Sequence, residues 1–409
     1  MANAQGELRG NWTLLVSACT GIICSSIVLP YYSIGALVVP VTEAFGWGRA
    51  QFQAAILFSS GLGALTAPLV GWLIDRFGAR RIALPGIVGL SVGFLLASSM
   101  DGQLWLLYVA YGAMALLGAG TIPVTWTRAI TTNFFRRRGL ALGLTLSGTG
   151  LCAIVVPQYA VWMVDAFGWR TAYLGLALVP LVIALPVVYF GFHPREGLSG
   201  SDGSDAQPHW GLTLSQAFRS GKYWVLLVSV FLIYMAVSGI GPNLIPSLTD
   251  DGLSPAEAAN ALSVFGAAII VGRVLVGYLV DHFWAPGVAA ASMMLPVIGC
   301  LMLVGEPSYA GALLAALLIG IAAGAELDLM SFLAATYFGL KHYAKIYAVA
   351  YATLATCSGT APMLFARIYD VTASYDIGFV ISTGLFGLGG LMMLCLGAYP
   401  RQARLASST

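Results

Sequence analysis

Long apolar runs separated by short polar segments recur along the whole chain. Windows of about 20 residues, the length needed to cross the hydrocarbon core of a bilayer as a helix, identify twelve runs: 12–40, 52–73, 82–99, 104–133, 140–163, 171–191, 223–246, 257–280, 286–304, 309–337, 345–368 and 376–398. This pattern predicts an all-α integral membrane protein with twelve transmembrane helices.

Six runs precede a polar segment rich in Gly, Ser and Asp, 192–221, and six follow it. The two sets match: an offset of 206 carries Ile34, Gly35, Pro40, Gly46, Gly71 and Asp75 onto Ile240, Gly241, Pro246, Gly252, Gly277 and Asp281, and an offset of 205 carries Pro157 and Asp165 onto Pro362 and Asp370. We therefore expect two pseudo-symmetric six-helix bundles, 1–191 and 222–398, joined by a cytoplasmic linker and followed by a cytoplasmic tail, 399–409. Parallel repeats of this kind are typical of transporters that rock two halves around a site near the bilayer midplane. A channel or membrane enzyme explains the repeat less naturally.

Composition agrees with a membrane protein. Of 409 residues, 59% are hydrophobic and 9% charged, whereas soluble domains contain about 25% charged residues. The first apolar run follows a polar N-terminus and is too long for a signal peptide, so we expect no cleavable signal. The six cysteines lie in apolar runs without a CxxC pair, which favours packing roles.

The lysines and arginines indicate the orientation. If the N-terminus is cytoplasmic, fourteen fall inside, three (Arg49, Arg170 and Arg367) fall outside, and Arg128 and Arg273 are left within the membrane. This positive-inside asymmetry predicts that both termini are cytoplasmic. We expect a multi-pass protein of a bacterial-type inner (plasma) membrane.

Arg273 interrupts the eighth apolar run near its middle. An arginine at such a position costs about 2.5–3.5 kcal/mol on insertion scales. A buried acidic partner, a water-filled cavity or an anionic ligand would offset that cost. The planar guanidinium binds a carboxylate through two parallel hydrogen bonds and stays charged at any relevant pH.

Two acidic residues occupy the tenth run at comparable depth. Glu326 and Asp328 precede Phe338 by about 18 and 15 Å of helix. Carboxylates at this depth have to be paired, protonated or exposed to a cavity. They diverge by about 200° around the helix, so one can face a cavity while the other meets a neighbouring helix. Both are candidates for proton coupling, Glu326 being favoured.

Aromatic residues accompany these charges. Tyr31 and Tyr32 lie deep in the first run and offer hydroxyls and ring faces to a carboxylate with an organic group. Tyr234 and Trp126 would suit a bulky side group, although aromatic residues in membrane helices also serve as packing.

Arg128 is a further candidate for substrate binding. It lies about 12 Å of helix before Arg136. A structural ion pair, or snorkelling of the side chain to the interface, is the alternative.

The stretch GWLIDRFGARRIAL, 71–84, resembles the loop between the second and third helices of the major facilitator superfamily. The resemblance implies gating roles for Asp75, Arg76 and Arg80 in holding the outward-facing state. The repeat copy GYLVDHFWAPG has no arginines but contains Asp281, which is assigned the same role.

Other motifs resemble the monocarboxylate transporter and oxalate:formate exchanger branch of that superfamily. These are FFRRRGLALG at the fifth helix, the spacing of Arg273, Gly277 and Asp281, and the acidic pair of the tenth run. The resemblance implies that Arg273 binds the substrate carboxylate. Three positions depart from the branch: Ile269 replaces an aspartate, Tyr32 a lysine and Leu354 a second cation. One central cation favours a monoanion over a dicarboxylate.

The sequence therefore predicts a secondary active transporter of an organic monocarboxylate by proton symport. An organic anion exchanger or an exporter of an amphipathic compound is the alternative. No metal-binding, phosphate-binding or nucleophile motif occurs in the sequence, so we expect neither an enzyme nor a cofactor or metal. The expected partners are a small organic anion, protons and the bilayer, without nucleic acid. A monomer is compatible with the sequence.

Overall fold

The computed structural model of the protein describes residues 10–134, 138–194, 211–339 and 342–399. Within these ranges the chain is helical, apart from one isolated β-bridge between Gly211 and Gly339. Eleven described segments are long and apolar enough to cross a membrane, and Leu104–Leu117 is a shorter apolar helix. That helix continues as a broken fourth span, so the predicted all-α membrane fold is confirmed.

The first half contains six spans, five of which are interrupted. The helices are Trp12–Ile23 and Val28–Phe45 (first span), Arg49–Gln53, the π-helical turn Leu57–Gly61 and Leu62–Phe77 (second), Ala79–Ser98 (third), Leu104–Leu117, the 3-10 turn Ala119–Thr121 and Pro123–Asn133 (fourth), Arg138–Leu146 and Gly148–Phe167 (fifth), and Trp169–Val179, the π-helical turn Pro180–Ala184 and Leu185–Gly191 (sixth).

The second half consists of longer uninterrupted helices. After the short helix Leu214–Phe218 come Gly221–Asp250 (seventh span), Pro255–His282 (eighth), Ala285–Met302 (ninth), Tyr309–Phe338 (tenth), Tyr343–Thr372 (eleventh) and Asp376–Leu394 (twelfth).

Two of the interruptions have a local cause in the sequence. The first span breaks at residues 24–27, and Pro30 occupies the first turn of the next helix, where a proline does not remove an internal hydrogen bond. The fourth span breaks after Gly118, and the following helix begins at Pro123. Breaks at this depth are tolerated when other protein groups satisfy the backbone, as Thr121 Oγ1 does for the N–H of Ser26 at 2.9 Å.

The repeat is also visible in the hairpins. Gly46 and Gly252 end the first and seventh spans with φ of 67° and 92°. Gly168 follows the fifth span with φ of 82°, and its repeat partner Ala373 follows the eleventh with φ of 55°. Ala373 is the only described residue other than glycine in this left-handed region, which an alanine occupies only with strain.

The ends of the spans define two faces. The linker face carries the segments 192–194 and 211–220 and the turn at Gly78, and the far face carries the turns at Gly46, Gly168 and Gly252. In the first half, one core near the far face surrounds Phe52, Phe94, Tyr111 and Tyr173, and another near the linker face surrounds Trp126, Phe134 and Phe192. The second half has one continuous core that includes Phe265, Phe338, Phe379 and Phe386.

Candidate functional site

A cavity of about 140 Å³ lies between the two halves. The first and fifth spans line it from one half, and the seventh, eighth, tenth and eleventh from the other. Five predicted site residues line it, namely Tyr31, Tyr32, Tyr234, Arg273 and Glu326. The remaining wall is apolar apart from the hydroxyl residues Thr149, Ser238 and Ser358.

Close packing of the eighth and tenth spans positions the charged residues. A β-carbon at Gly272 would lie 2.1 Å from the carbonyl oxygen of Ile321, and one at Gly324 would lie 2.1 Å from that of Ile269. Both positions therefore require glycine. The contact fixes Arg273 on the eighth span next to the acidic residues of the tenth.

The guanidinium of Arg273 has donors that form no hydrogen bond. Its side chain is 12% exposed, and Nε lies 3.4 Å from Oδ2 of Asp328. Nevertheless Nε and Nη1 are buried without a hydrogen-bond partner, because the contact with Asp328 lacks hydrogen-bond geometry. A cation in this state leaves donors available for an anionic ligand.

Glu326 is more deeply buried than Arg273. It is 4% exposed, and neither carboxylate oxygen has a hydrogen-bond partner. Tyr31 and Tyr234, which line the same cavity, lie near enough to interact with it electrostatically. A buried carboxylate without partners is costly when charged, so this position favours a proton or a compensating ligand.

Asp328 is arranged differently. Its side chain is 42% exposed and contacts Arg273, and it is not among the residues that line the cavity. The ion pair that the sequence left open as an alternative role for Arg273 is therefore present, with Asp328 as the partner.

The tyrosines are held by the opposite half. Tyr31 donates a hydrogen bond of 3.1 Å to the carbonyl oxygen of Ser238 and packs edge-on against Tyr32, with ring centroids 5.1 Å apart. A β-carbon at Gly241 would lie 2.8 Å from the Tyr31 hydroxyl, so this close approach of the first and seventh spans depends on glycine.

Two candidates lie outside the cavity lining. Trp126 is fully buried in the first half, where Nε1 donates to the carbonyl oxygen of Thr121 at 2.8 Å and the ring packs against Phe192. Trp126 therefore serves packing and not ligand contact. Arg128 lies on the same helix, is half-buried and does not line the cavity.

The predicted gating residues lie at the linker face. Arg80 donates to the carbonyl oxygen of Tyr189 at 2.7 Å, and Arg76 lies over the rings of Trp72 and Phe77, so these contacts stay within the first half. Asp75 and Asp281 lie on described helices, but their side chains are outside what the structure describes.

At the far face, one arginine links the two halves. Arg49, at the start of the second span, forms a two-pronged ion pair with Asp250 at the end of the seventh, in which Nη2 lies 2.9 Å from Oδ1. Its guanidinium lies 3.8 Å from the ring centroid of Tyr369 and donates to the Tyr375 hydroxyl at 3.2 Å.

Asp370 adds a second link at the far face. Its two carboxylate oxygens accept the backbone N–H groups of Arg49 and Ala50, each at 2.9 Å. The helix that begins at Arg49 follows Gly48, which has no side chain to cap it. An aspartate from the other half thus caps this helix and complements its dipole. Arg49, Asp250, Tyr369, Asp370 and Tyr375 are called the far-face network below.

Further contacts between the halves extend from the far face toward the cavity. Gln53 donates to the carbonyl oxygen of Pro242 at 3.2 Å, and Gln158 donates to Asn260 at 2.7 Å. Deeper still, a β-carbon at Gly150 would lie 2.8 Å from the carbonyl oxygen of Gly266. The two halves are therefore closed against each other on the far-face side of the cavity.

A model of the Major Facilitator Superfamily matches residues 12–351 and 226–408. The chain belongs to the Major Facilitator Superfamily. Human monocarboxylate transporter 11 is 26% identical over 412 residues, covering 96% of this chain and 84% of the relative. Bovine monocarboxylate transporter 13 is 30% identical over 282 residues, covering 66% and 64% of the two chains. The MFS-type transporter YhjX of Escherichia coli is 26% identical, covering 77% and 76%.

Solved structures support the same fold. A bacterial homolog of the human lysosomal transporter Spinster, in an inward-facing and unoccupied conformation, superposes with a TM-score of 0.67 at 16% identity and covers 95% of this chain and 94% of its own. The protein is accordingly a membrane transporter of the Major Facilitator Superfamily, as the loop motif at 71–84 predicted.

Proposed function

We propose that the protein transports a small organic monocarboxylate by proton-coupled symport, with Arg273 binding the carboxylate. The observation that carries this proposal is the presence, at one cavity, of guanidinium donors without hydrogen-bond partners and of a buried carboxylate without partners, Glu326. A carboxylate and a proton together would satisfy both groups. Similarity to two monocarboxylate transporters supports the same substrate class.

The cavity volume supports a small substrate. The cavity measures about 140 Å³, and an engineered cavity of about 150 Å³ binds benzene. A carboxylic acid of up to roughly six non-hydrogen atoms would fit this conformation on that scale. The apolar wall, which includes Phe265 and Ile269, favours an aliphatic or aromatic group over a second charge.

The cycle follows from charge balance. With the linker face cytoplasmic, as the distribution of basic residues supports, the contacts between the halves at the far face close the described state to the outside. In uptake, the anion pairs with Arg273 and the proton neutralises Glu326, which lowers the cost of moving both through an occluded state.

An anion exchanger is the second candidate, because the existing contact between Arg273 and Asp328 would let the arginine alternate between the substrate and its own carboxylate without a proton. Uptake into proteoliposomes distinguishes the two. Labelled aliphatic and aromatic acids are supplied with and without an inward proton gradient. Accumulation driven by the gradient supports symport, whereas counterflow that ignores pH would establish exchange.

Arg273→Ala tests the binding role. We expect uptake to fall at least 100-fold, because removing a charge-assisted two-pronged contact costs about 3 kcal/mol or more. The neighbouring Val274→Ala is the control, since the Val274 side chain is 71% exposed and points away from the cavity lining. Uptake by folded Arg273→Ala at the rate of the control would refute the assignment.

Glu326→Gln tests the proton pathway. The amide keeps the shape of the carboxyl group but cannot exchange a proton, so we expect accumulation to stop responding to the pH gradient while counterflow continues. Asp328→Asn on the same helix tests the other candidate, and it should retain gradient-driven accumulation if Glu326 carries the proton. Full pH-driven accumulation by Glu326→Gln would remove Glu326 from the pathway.

A further inference from the structure

An apolar groove runs along the outside of the first half, close to the linker face. It has a volume of about 490 Å³ and lies between the start of the third span and the end of the sixth. Leu84, Pro85 and Val88 form one wall, and Tyr189 and Phe190 belong to the other. Phe190 is 77% exposed, so the groove opens outward to the lipid.

Two arginines lie one helical turn from this groove, toward the linker face. Arg80 precedes Leu84 by four residues and Arg81 precedes Pro85 by four, a spacing that places each arginine on the same side of the helix as its groove residue. Arg80 is held against the groove wall, because it donates to the carbonyl oxygen of Tyr189 at 2.7 Å and its guanidinium lies 5.3 Å from the Tyr189 ring centroid.

The electrostatics at this position call for an anion. Arg80 and Arg81 occupy the first turn of the helix Ala79–Ser98, which contains no acidic residue in that turn. The N-terminus of a helix carries a partial positive charge, which favours a nearby anion. Arg80 and Arg81 add two positive charges at the same place. Nε of Arg80 is also buried without a hydrogen-bond partner.

The second half provides a comparison. A groove of about 540 Å³ lies near the same face, between Leu275 on the eighth span and Leu295 on the ninth. It is equally apolar, but the sequence from 274 to 292 contains neither lysine nor arginine. The two grooves therefore offer similar space for acyl chains and differ in charge at the linker-face end.

We propose that the groove between the third and sixth spans binds an anionic phospholipid, with acyl chains in the groove and the headgroup phosphate at Arg80 and Arg81. Apolar volume and positive charge are adjacent there in the order that such a lipid presents them. The groove of the second half, lacking the charge, takes acyl chains without selecting the headgroup. The proposal is independent of the transported substrate and of the role of Arg273.

Native mass spectrometry of the delipidated full chain, titrated with POPG or with POPE of the same acyl chains, tests the site. We expect tighter binding of POPG. A basic residue near the surface contributes about fivefold to binding of an anionic lipid. Arg81→Gln should therefore lower POPG affinity about fivefold, and Arg80→Gln with Arg81→Gln about 25-fold, with POPE affinity unchanged.

Two substitutions separate the grooves. Val88→Trp fills the first groove at an exposed position and should remove the POPG preference, whereas Ala291→Trp fills the second groove and should leave that preference intact. An unchanged POPG preference in the double arginine variant would overturn the proposal. So would a POPG preference that 5 mM inorganic phosphate abolishes and Val88→Trp does not affect, since the arginines would then bind a soluble anion.

Discussion

Arg49→Ala is expected to open the far face. The substitution removes the ion pair with Asp250, the contact with the Tyr369 ring and the hydrogen bond to Tyr375. It leaves the link through Asp370 in place, because that link uses backbone N–H groups. The far-face network would lose its charged side-chain contacts between the halves without losing its helix cap.

The magnitude follows from how far these groups are withdrawn from water. The side chains of Arg49 and Asp250 are 12% and 25% exposed, so the pair is much less solvated than a surface salt bridge. Loss of such a pair, together with the ring contact, costs about 3 kcal/mol. Because the contacts exist only when the far face is closed, the equilibrium between the two states should shift about 150-fold toward the far-face-open state.

Distance distributions between spin labels measure this shift. Gln103 and Glu306 lie on exposed far-face segments of opposite halves and accept labels once Cys19 and Cys395 are replaced by serine. Arg49→Ala should add a longer far-face distance. Arg170→Ala is the matched control, because it breaks an ion pair at the same face that stays within the first half, Arg170 to Asp101 at 3.6 Å. An unchanged distribution in Arg49→Ala, or an equal shift in Arg170→Ala, would contradict the reasoning.

Two further predictions concern stability. Burial, together with the charge of Asp376 and of two further carboxylates, raises the pKa of Asp251 to about 6, so this group reduces stability as the pH rises from about 4 to 6. Asp251→Asn should therefore raise the Tm in detergent at pH 7.5, with a gain in the free energy of unfolding of at most about 1 kcal/mol after solvent screening. A gain that persists in full below pH 4 would exclude this cause. Ala373→Gly should relieve left-handed backbone strain and stabilise the protein by about 0.5–1 kcal/mol. Gly168→Ala, at the repeat-related position, should destabilise it. Thermal melts in which both variants shift the Tm in the same direction would refute the strain argument.

The fold was predictable because its signal is local and strong. Each span is an apolar run, and the repeat of Gly71 and Asp75 at Gly277 and Asp281 is legible without any contact information. Arg273 and Glu326 were identifiable for a related reason, since a charge inside an apolar run stands out. Their convergence on one cavity needed the structure, because it depends on the glycine contacts between the eighth and tenth spans.

The rest of the site could not be predicted from the sequence, for physical reasons. Helix rotation decides that Glu326 faces the cavity while Asp328 contacts Arg273, and the sequence fixes only their divergence. Thr149 and Ser358 did not stand out, because small hydroxyl residues are common in membrane helices. Arg49 and Asp250 are 201 residues apart, so their pairing follows from the docking of the halves.

The arrangement at Gly48 has a consequence for how the two halves came to differ. In the second half, the corresponding helix begins with Pro255, which has no N–H group, and Ser254 caps it locally by accepting from the N–H of Glu257 at 3.3 Å. The first half lacks such a local cap, and Asp370 of the second half accepts the N–H groups at its helix start instead. One helix start is thus self-sufficient, whereas its twin is complete only when the transporter is shut on that side. A serine at position 48 would cap the first-half helix locally, and its β-carbon would lie 3.0 Å from Oδ2 of Asp370. The start of that helix would then no longer depend on closure of the far face.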